Sequence, residues 1–192
     1  WLMSYSTYDT EKEYLNNTTD FSDAIYEFTV RDFTDSINVW QTDSIKRYIT
    51  KNYGSVEAFK SDTVGFYYKQ LAAPVSDKEF PADTTIYINY TGKLLNGLVF
   101  DTTSERIAKD NNIPTDGRTF GPVSIKWGSS YTDITMGSSG SSVIDGFART
   151  LWQMKAMEKG VGVFYSNLGY GYSGSGASIP GYASLIFEIE LV

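Results

Sequence analysis

A chain of 192 residues can form one or two domains, each with a buried core. Its 16 Lys+Arg against 23 Asp+Glu leave a net charge of −7, which argues against a nucleic-acid partner. With no cysteine and no histidine, disulfides, Cys-rich metal sites, the Ser-His triad and imidazole acid–base work are excluded together. Carboxylates, hydroxyls, amides and rings remain, and rings make up 16% of the chain; no metal or cofactor is expected. No apolar run approaches the roughly 18 residues of a membrane-spanning helix, and no signal peptide is present. Because the sequence opens at Trp1 without a methionine, a processed chain is expected, one whose export signal or lipid-anchor segment is absent from the sequence.

Residues 1–61 read as a mostly helical N-terminal region. Asp9-Thr10 can cap a short helix through Tyr14 and Leu15, and Phe21, Ile25, Phe28, Phe33, Ile37 and Trp40 recur at three- to five-residue spacing. A competing strand alternates at Tyr26, Phe28 and Val30; the longer pattern favours helix. The clearest helix is 44–52, capped by Thr42-Asp43, with Ile45, Tyr48 and Ile49 on one face and Gly54 as its stop. This apolar stripe packs either on the rest of the chain or on a second copy, and the residues leave both open.

Residues 62–192 read as the second domain. A strand is expected over 62–71, then a polar connector from Pro74 to Asp83. In the stretch from Ile86 to Asp101, Ile86, Ile88 and Tyr90 share one face of a strand, Thr91-Gly92 hinges it, and Asn96-Gly97 reverses it into a hairpin. Leu98-Val99-Phe100 returns and stops on Asp101. A short helix is expected at 105–110, turns at Asn111-Asn112, Pro114 and Asp116-Gly117, and a strand at 122–128. The Gly/Ser-rich run 129–142 reads as a flexible insertion near a pocket rim. Gly169-Tyr170-Gly171-Tyr172-Ser173-Gly174 matches G-x-G-x-x-G by letter, but no helix follows, so it reads as a loop beside a binding groove rather than a dinucleotide fingerprint. Glu188 and Glu190 share a solvated strand face.

Four blocks in order carry a resemblance. Tyr90-Thr91-Gly92 with Asn96-Gly97 and Phe100-Asp101, then Val143-Ile144-Asp145-Gly146-Phe147 with Leu151 and Met154, then Leu168-Gly169-Tyr170-Gly171, then Ile179-Pro180 with the terminal strand through Phe187 to Leu191 resemble the FKBP-type peptidyl-prolyl cis-trans isomerases. The resemblance covers about two-thirds of the chain. It implies an α+β fold: a twisted antiparallel sheet wrapped around one helix, at 147–157, preceded here by the helical region. It also implies isomerisation of X-Pro bonds in exported or unfolded chains, macrolide ligands, a periplasmic or outer-envelope location with a lipid anchor, and dimerisation through the N-terminal helices.

The X-Pro amide has a barrier near 18–20 kcal/mol because its partial double bond separates charge between oxygen and nitrogen. Twisting reduces that separation, so a dry, ring-lined pocket favours the twisted form without nucleophile or metal. Carried over position by position, Asp101, Tyr170, Tyr90 and Phe100 would be the catalytic group, Tyr170 donating to a substrate carbonyl. Arg106, Val143, Ile144, Phe147, Ile179 and Phe187 would bind substrate, with the Ile144 amide as a second anchor and Arg106, five residues after Asp101, as the basic partner of that acid. Two positions depart from the family pattern. Phe147 stands where a tryptophan is usual, and Val123 where an aromatic is usual, with Phe120, Trp127 or Tyr131 as replacement rings. A catalytically weak proline-binding or chaperone-like module, and a purely structural envelope domain, are the alternatives.

Overall fold

Ten residues of unbroken strand, Thr85–Leu94 (β2), organise the sheet. Ile86 and Ile88 are buried on one face while Tyr87 points to solvent, as their alternation predicts. The structure, a computed structural model, describes residues 36–192, and Ser36–Val192 is one compact unit. In chain order its elements are helix α1 (Ile37–Tyr53), β1 (Phe66–Ala72), β2, β3 (Val99–Thr102), helix α2 (Glu105–Asp110), β4 (Val123–Lys126), β5 (Thr135–Met136), β6 (Ser141–Ser142), helix α3 (Asp145–Trp152), β7 (Lys159–Phe164) and β8 (Leu185–Leu191). The eight strands are antiparallel in the order β1-β7-β8-β2-β4-β5-β6, with β3 paired to β2 off this path.

Period-two alternation divides β1, β7 and β8 between two faces. Phe66, Tyr68, Phe164, Phe187 and Ile189 join Phe147 and Leu151 of α3 in one core; Tyr67, Val161, Val163 and Ile186 join Ile45 and Ile49 of α1 in the other. The helix α3 can press onto β7 because residue 162 is glycine: a Cβ there would lie 1.9 Å from Thr150 Oγ1. On the opposite face the buried Gln41 fastens α1 to the turn after β7, accepting from Ser166 N–H at 2.8 Å and donating to Ser166 Oγ at 3.0 Å. Under α3, the buried Glu158 accepts from Tyr68 Oη and from Lys155 N–H. Among the described residues no helix is long and apolar enough to cross a membrane.

Several boundaries differ from expectation. Helix α1 begins seven residues before the expected 44. Thr42 and Ser44 donate back to the carbonyls of Asn38 and Trp40, so they serve as interior residues and not as caps. Gly54 does end it, at φ +88°. Strand β1 starts at Phe66 because Asp62 belongs to a turn facing Arg149 and Gln153. Helix α3 spans Asp145–Trp152 rather than 147–157; the chain then turns to bury Met154 and Glu158. The run 129–142 holds a 3₁₀ turn and the β5–β6 hairpin, tied down by buried Ile134 and by Tyr131, whose hydroxyl accepts from Arg149 at 2.6 Å. The helix expected at Asp9 to Leu15, the recurrence from Phe21 to Phe33 and the competing strand lie outside the described residues.

Candidate active site

Residue Phe100 is the extra residue in the β2–β3 ladder. Gly92 faces Asp101 and Lys93 faces Val99, which leaves Phe100 unpaired in a bulge. In a regular strand, neighbours point to opposite faces; the bulge lets Phe100 and Asp101 both line one cleft. Gly92 makes room, since a Cβ there would lie 2.6 Å from the Phe100 ring. The hairpin expected at Asn96-Gly97 forms as a three-residue loop, 95–97: Leu94 N–H donates to Leu98 O, Gly97 N–H to Leu94 O, Gly97 alone sits at positive φ (+89°), and Leu98 N–H donates to Asn96 Oδ1.

The cleft encloses about 560 Å³ and lies over the N-terminal end of α3. Its apolar wall is a ring cluster around Phe187. Phe147 meets that ring edge-on at 5.0 Å and Phe100 at 5.5 Å, Tyr90 lies at 6.0 Å, and Phe164 stacks behind it at 5.9 Å. Val143, Ile144 and Ile179 complete the apolar lining. Ile144 is the N-cap of α3, and its carbonyl accepts from the Phe147 and Ala148 amides.

At the polar end, Asp101 accepts from Tyr90 Oη at 2.6 Å through one oxygen and from Arg118 Nη2 at 2.6 Å and Thr102 N–H at 2.9 Å through the other. Burial, the hydrogen bond to Asp101 and that carboxylate's charge push the Tyr90 hydroxyl well above the ordinary tyrosine value. Tyr90 is therefore fixed as the donor. Tyr170, on the loop after β7, is also raised, by burial and then by the charge of Asp101, so its hydroxyl stays protonated at neutral pH. That loop is knotted by its own backbone: Gly174 N–H donates to Tyr170 O, Tyr182 N–H to Gly171 O, and Ser175 and Ile179 exchange both bonds. The glycine pattern expected as a loop is one, with no helix after it.

Nine of the ten sequence-derived site residues therefore meet in one cleft: Asp101, Tyr170, Tyr90, Phe100, Val143, Ile144, Phe147, Ile179 and Phe187. Arg106 does not. It is exposed on α2, and the partner of Asp101 is Arg118, delivered by the loop between α2 and β4. None of Phe120, Trp127 and Tyr131 supplies the ring missing at Val123. Trp127 is buried between Phe80 and Trp152, Phe120 lies against Arg118, and Tyr131 lies under Arg149. Met136 and Ser142 of the hairpin, with Ser175, Gly176 and Ser178, line the cleft instead. The Ile134/Met136 alternation inside the Ser/Gly-rich run was the available signal for Met136; Arg118 had none. Among the described residues no group of three or more carboxylates gathers as a metal site.

The family model of the FKBP-type peptidyl-prolyl cis-trans isomerases matches residues 76–192. A probable FKBP-type peptidyl-prolyl cis-trans isomerase of Haemophilus influenzae is 33% identical over 133 residues, covering 69% of this chain and 44% of its own length. The FKBP-type 22 kDa peptidyl-prolyl cis-trans isomerase of Escherichia coli is 31% identical, over 58% of this chain and 42% of its own. FK506-binding protein 1A of Aspergillus fumigatus is 32% identical, over 65% of this chain and 90% of its own. The chain thus spans less than half of the two bacterial relatives. Among solved structures, FkpA from Escherichia coli matches with a TM-score of 0.52 at 22% identity, over 80% of this chain and 59% of that one. A peptidyl-prolyl cis-trans isomerase from Pseudomonas syringae pv. tomato matches at 0.54 and 22%, over 83% and 97%. At these identities the structures speak for the fold, and the family model, matched along the segment that contains the whole cleft, makes this chain a member of the FKBP-type peptidyl-prolyl cis-trans isomerase family.

Proposed function

We propose that this chain accelerates cis–trans isomerisation of X-Pro bonds in polypeptides, without a cofactor. The observation that carries this reading is the cleft itself, where a ring-walled, apolar floor at Phe147 and Phe187 adjoins the protonated hydroxyl of Tyr170. The prolyl ring sits against the aromatic floor, Tyr170 donates to the carbonyl of the residue before proline, and the Ile144 amide donates to the prolyl carbonyl. The dry wall disfavours the charge-separated planar amide relative to the twisted one, so the cleft binds the transition state better than the ground state. Asp101 holds Tyr90 in place and is itself neutralised by Arg118.

Proton NMR exchange between the cis and trans forms of an X-Pro peptide tests this without a coupling protease. Wild type should accelerate exchange, and Tyr170→Phe should lower kcat/KM about fivefold, the worth of one hydrogen bond to a neutral carbonyl. No acceleration by folded wild type, across several residues before proline, overturns the reading. Macrolide competition, with FK506 as the probe, should suppress the exchange.

The catalytically weak binding module remains a second reading, favoured by one observation: Met136 lines the cleft, and none of Phe120, Trp127 and Tyr131 supplies the ring missing at Val123. It predicts saturable peptide binding with little acceleration. A helical region ahead of the body, pairing of two copies through it, and a periplasmic or outer-envelope role in protein folding belong to the same proposal; the boundary expected at 61/62 falls inside the compact unit Ser36–Val192, which takes in α1. The resemblance to bacterial envelope members of the family supports them. Gel filtration and cell fractionation of the full chain test the last two.

A further inference from the structure

Strand β6 is the open end of the sheet: among the described residues it pairs with β5 and with nothing beyond. It is also continuous with the cleft, since Ser142, Val143 and Ile144 line it in succession before α3 begins. The ladder sets which backbone groups are open. Gly137 N–H donates to Ser124 O at 2.8 Å, flanking the Ile125–Met136 pair, so Met136 turns its own N–H and C=O away from β4 and toward its β6 partner Ser141. Ser142, the next residue, therefore turns its N–H and C=O to the unpaired side. Ile144, two residues on and still extended at φ −65° and ψ 149°, falls by the period-two alternation on that same side, and its N–H is the one the proposed function assigns to the prolyl carbonyl.

We propose that the residues following the proline add to β6 as an antiparallel strand, the second residue after the proline exchanging backbone hydrogen bonds with Ser142. This rests on the proposed function for the placement of the proline. The preferred substrate is then an extended chain that continues at least two residues past the proline, and Met136 offers an adaptable apolar wall to a side chain of the added strand. The stem that holds β6 in place is fixed by the burial of Ile134 and by the Arg149–Tyr131 contact.

The test compares an X-Pro peptide ending in an amide directly after proline with one extended by three residues, on wild-type protein. Extension should raise kcat/KM about fivefold. N-methylation of the second residue after proline should abolish the gain, while N-methylation of the first should not, because its N–H points away from β6. In Ser142→Pro, a substitution an edge strand tolerates, the extended and truncated peptides should be turned over alike, whatever the absolute rate. Independently, the backbone amide resonance of Ser142 should shift on titration with the extended peptide and not with the truncated one. Equal turnover of both peptides by wild type, or an extension gain retained in folded Ser142→Pro, overturns the added strand while leaving isomerisation intact. Failure of wild type to accelerate either peptide overturns the isomerase reading, and the Ser142 resonance then decides the strand by itself: a shift supports it and no shift overturns it.

Discussion

The two faces of this sheet are built from different chemistry. Against α1 the contacts are mainly aliphatic, with Ile45 and Ile49 meeting Val161, Val163 and Ile186. Against α3, rings gather at the centre of an otherwise aliphatic core that includes Leu151, Leu185 and Ile189, with Phe147, Phe164 and Phe187 meeting edge-on or stacked. Branched aliphatic side chains interdigitate and close their face. Large planar groups fill the centre of the other face but leave an open cleft where the cluster reaches its rim at Tyr90 and Phe100. One face holds the fold, and the other holds it and keeps a binding space.

Adjacent residues of β8 separate these roles. Ile186→Ala should cost about 2–5 kcal/mol in chemical denaturation and leave the isomerisation rate of the folded protein unchanged. Phe187→Leu, which nearly conserves volume, should cost less stability and lose most of the activity; equal activity in the two variants would break the division of labour. Gln41→Ala should cost about 1–3 kcal/mol, because Ser166 loses the acceptor for its buried amide.

Alkali supplies a third comparison. Tyr68 and Tyr90 on the ring face, and Tyr53 on the other, all have hydroxyls pushed above the ordinary value, with burial as the first cause. The unfolded chain begins to lose these protons near pH 10 while the folded protein keeps them, so stability is full below about pH 10 and falls as pH rises above it. Denaturation midpoints measured from pH 7 to 11 check the sign. The smallest effect is expected at Met157, exposed and at φ +61°, where Met157→Gly should stabilise by less than about 1 kcal/mol.

The long strand β2, the Asn-Gly hairpin, α2 and nearly the whole cleft were legible because each is encoded by local pattern or by motifs a few residues long. The partner of Asp101 was not. The spacing usual in the family pointed to Arg106, but the loop between α2 and β4 brings Arg118 back across 17 residues, and no local rule encodes that return. The hairpin at 135–142 was obscured by composition: Gly and Ser signal flexibility, while the two residues that decide the matter, Ile134 and Met136, are hidden among them. Thr42-Asp43 misled because a hydroxyl that can cap a helix can equally bond back inside one. The bulge at Phe100 was invisible for a further reason, since it exists only in the pairing of two strands.

The Gln41–Ser166 pair spans 125 positions of sequence and joins a helix outside the family-matched segment to a turn inside it. Ser166 O, in that turn, accepts from the Gly169 and Gly171 amides on either side of Tyr170. An excised fragment of residues 76–192 would thus keep every cleft residue and yet lose the buttress beneath the Tyr170 loop, along with β1. A fragment that keeps this pair has to include α1, well upstream of the boundary that family similarity alone would draw.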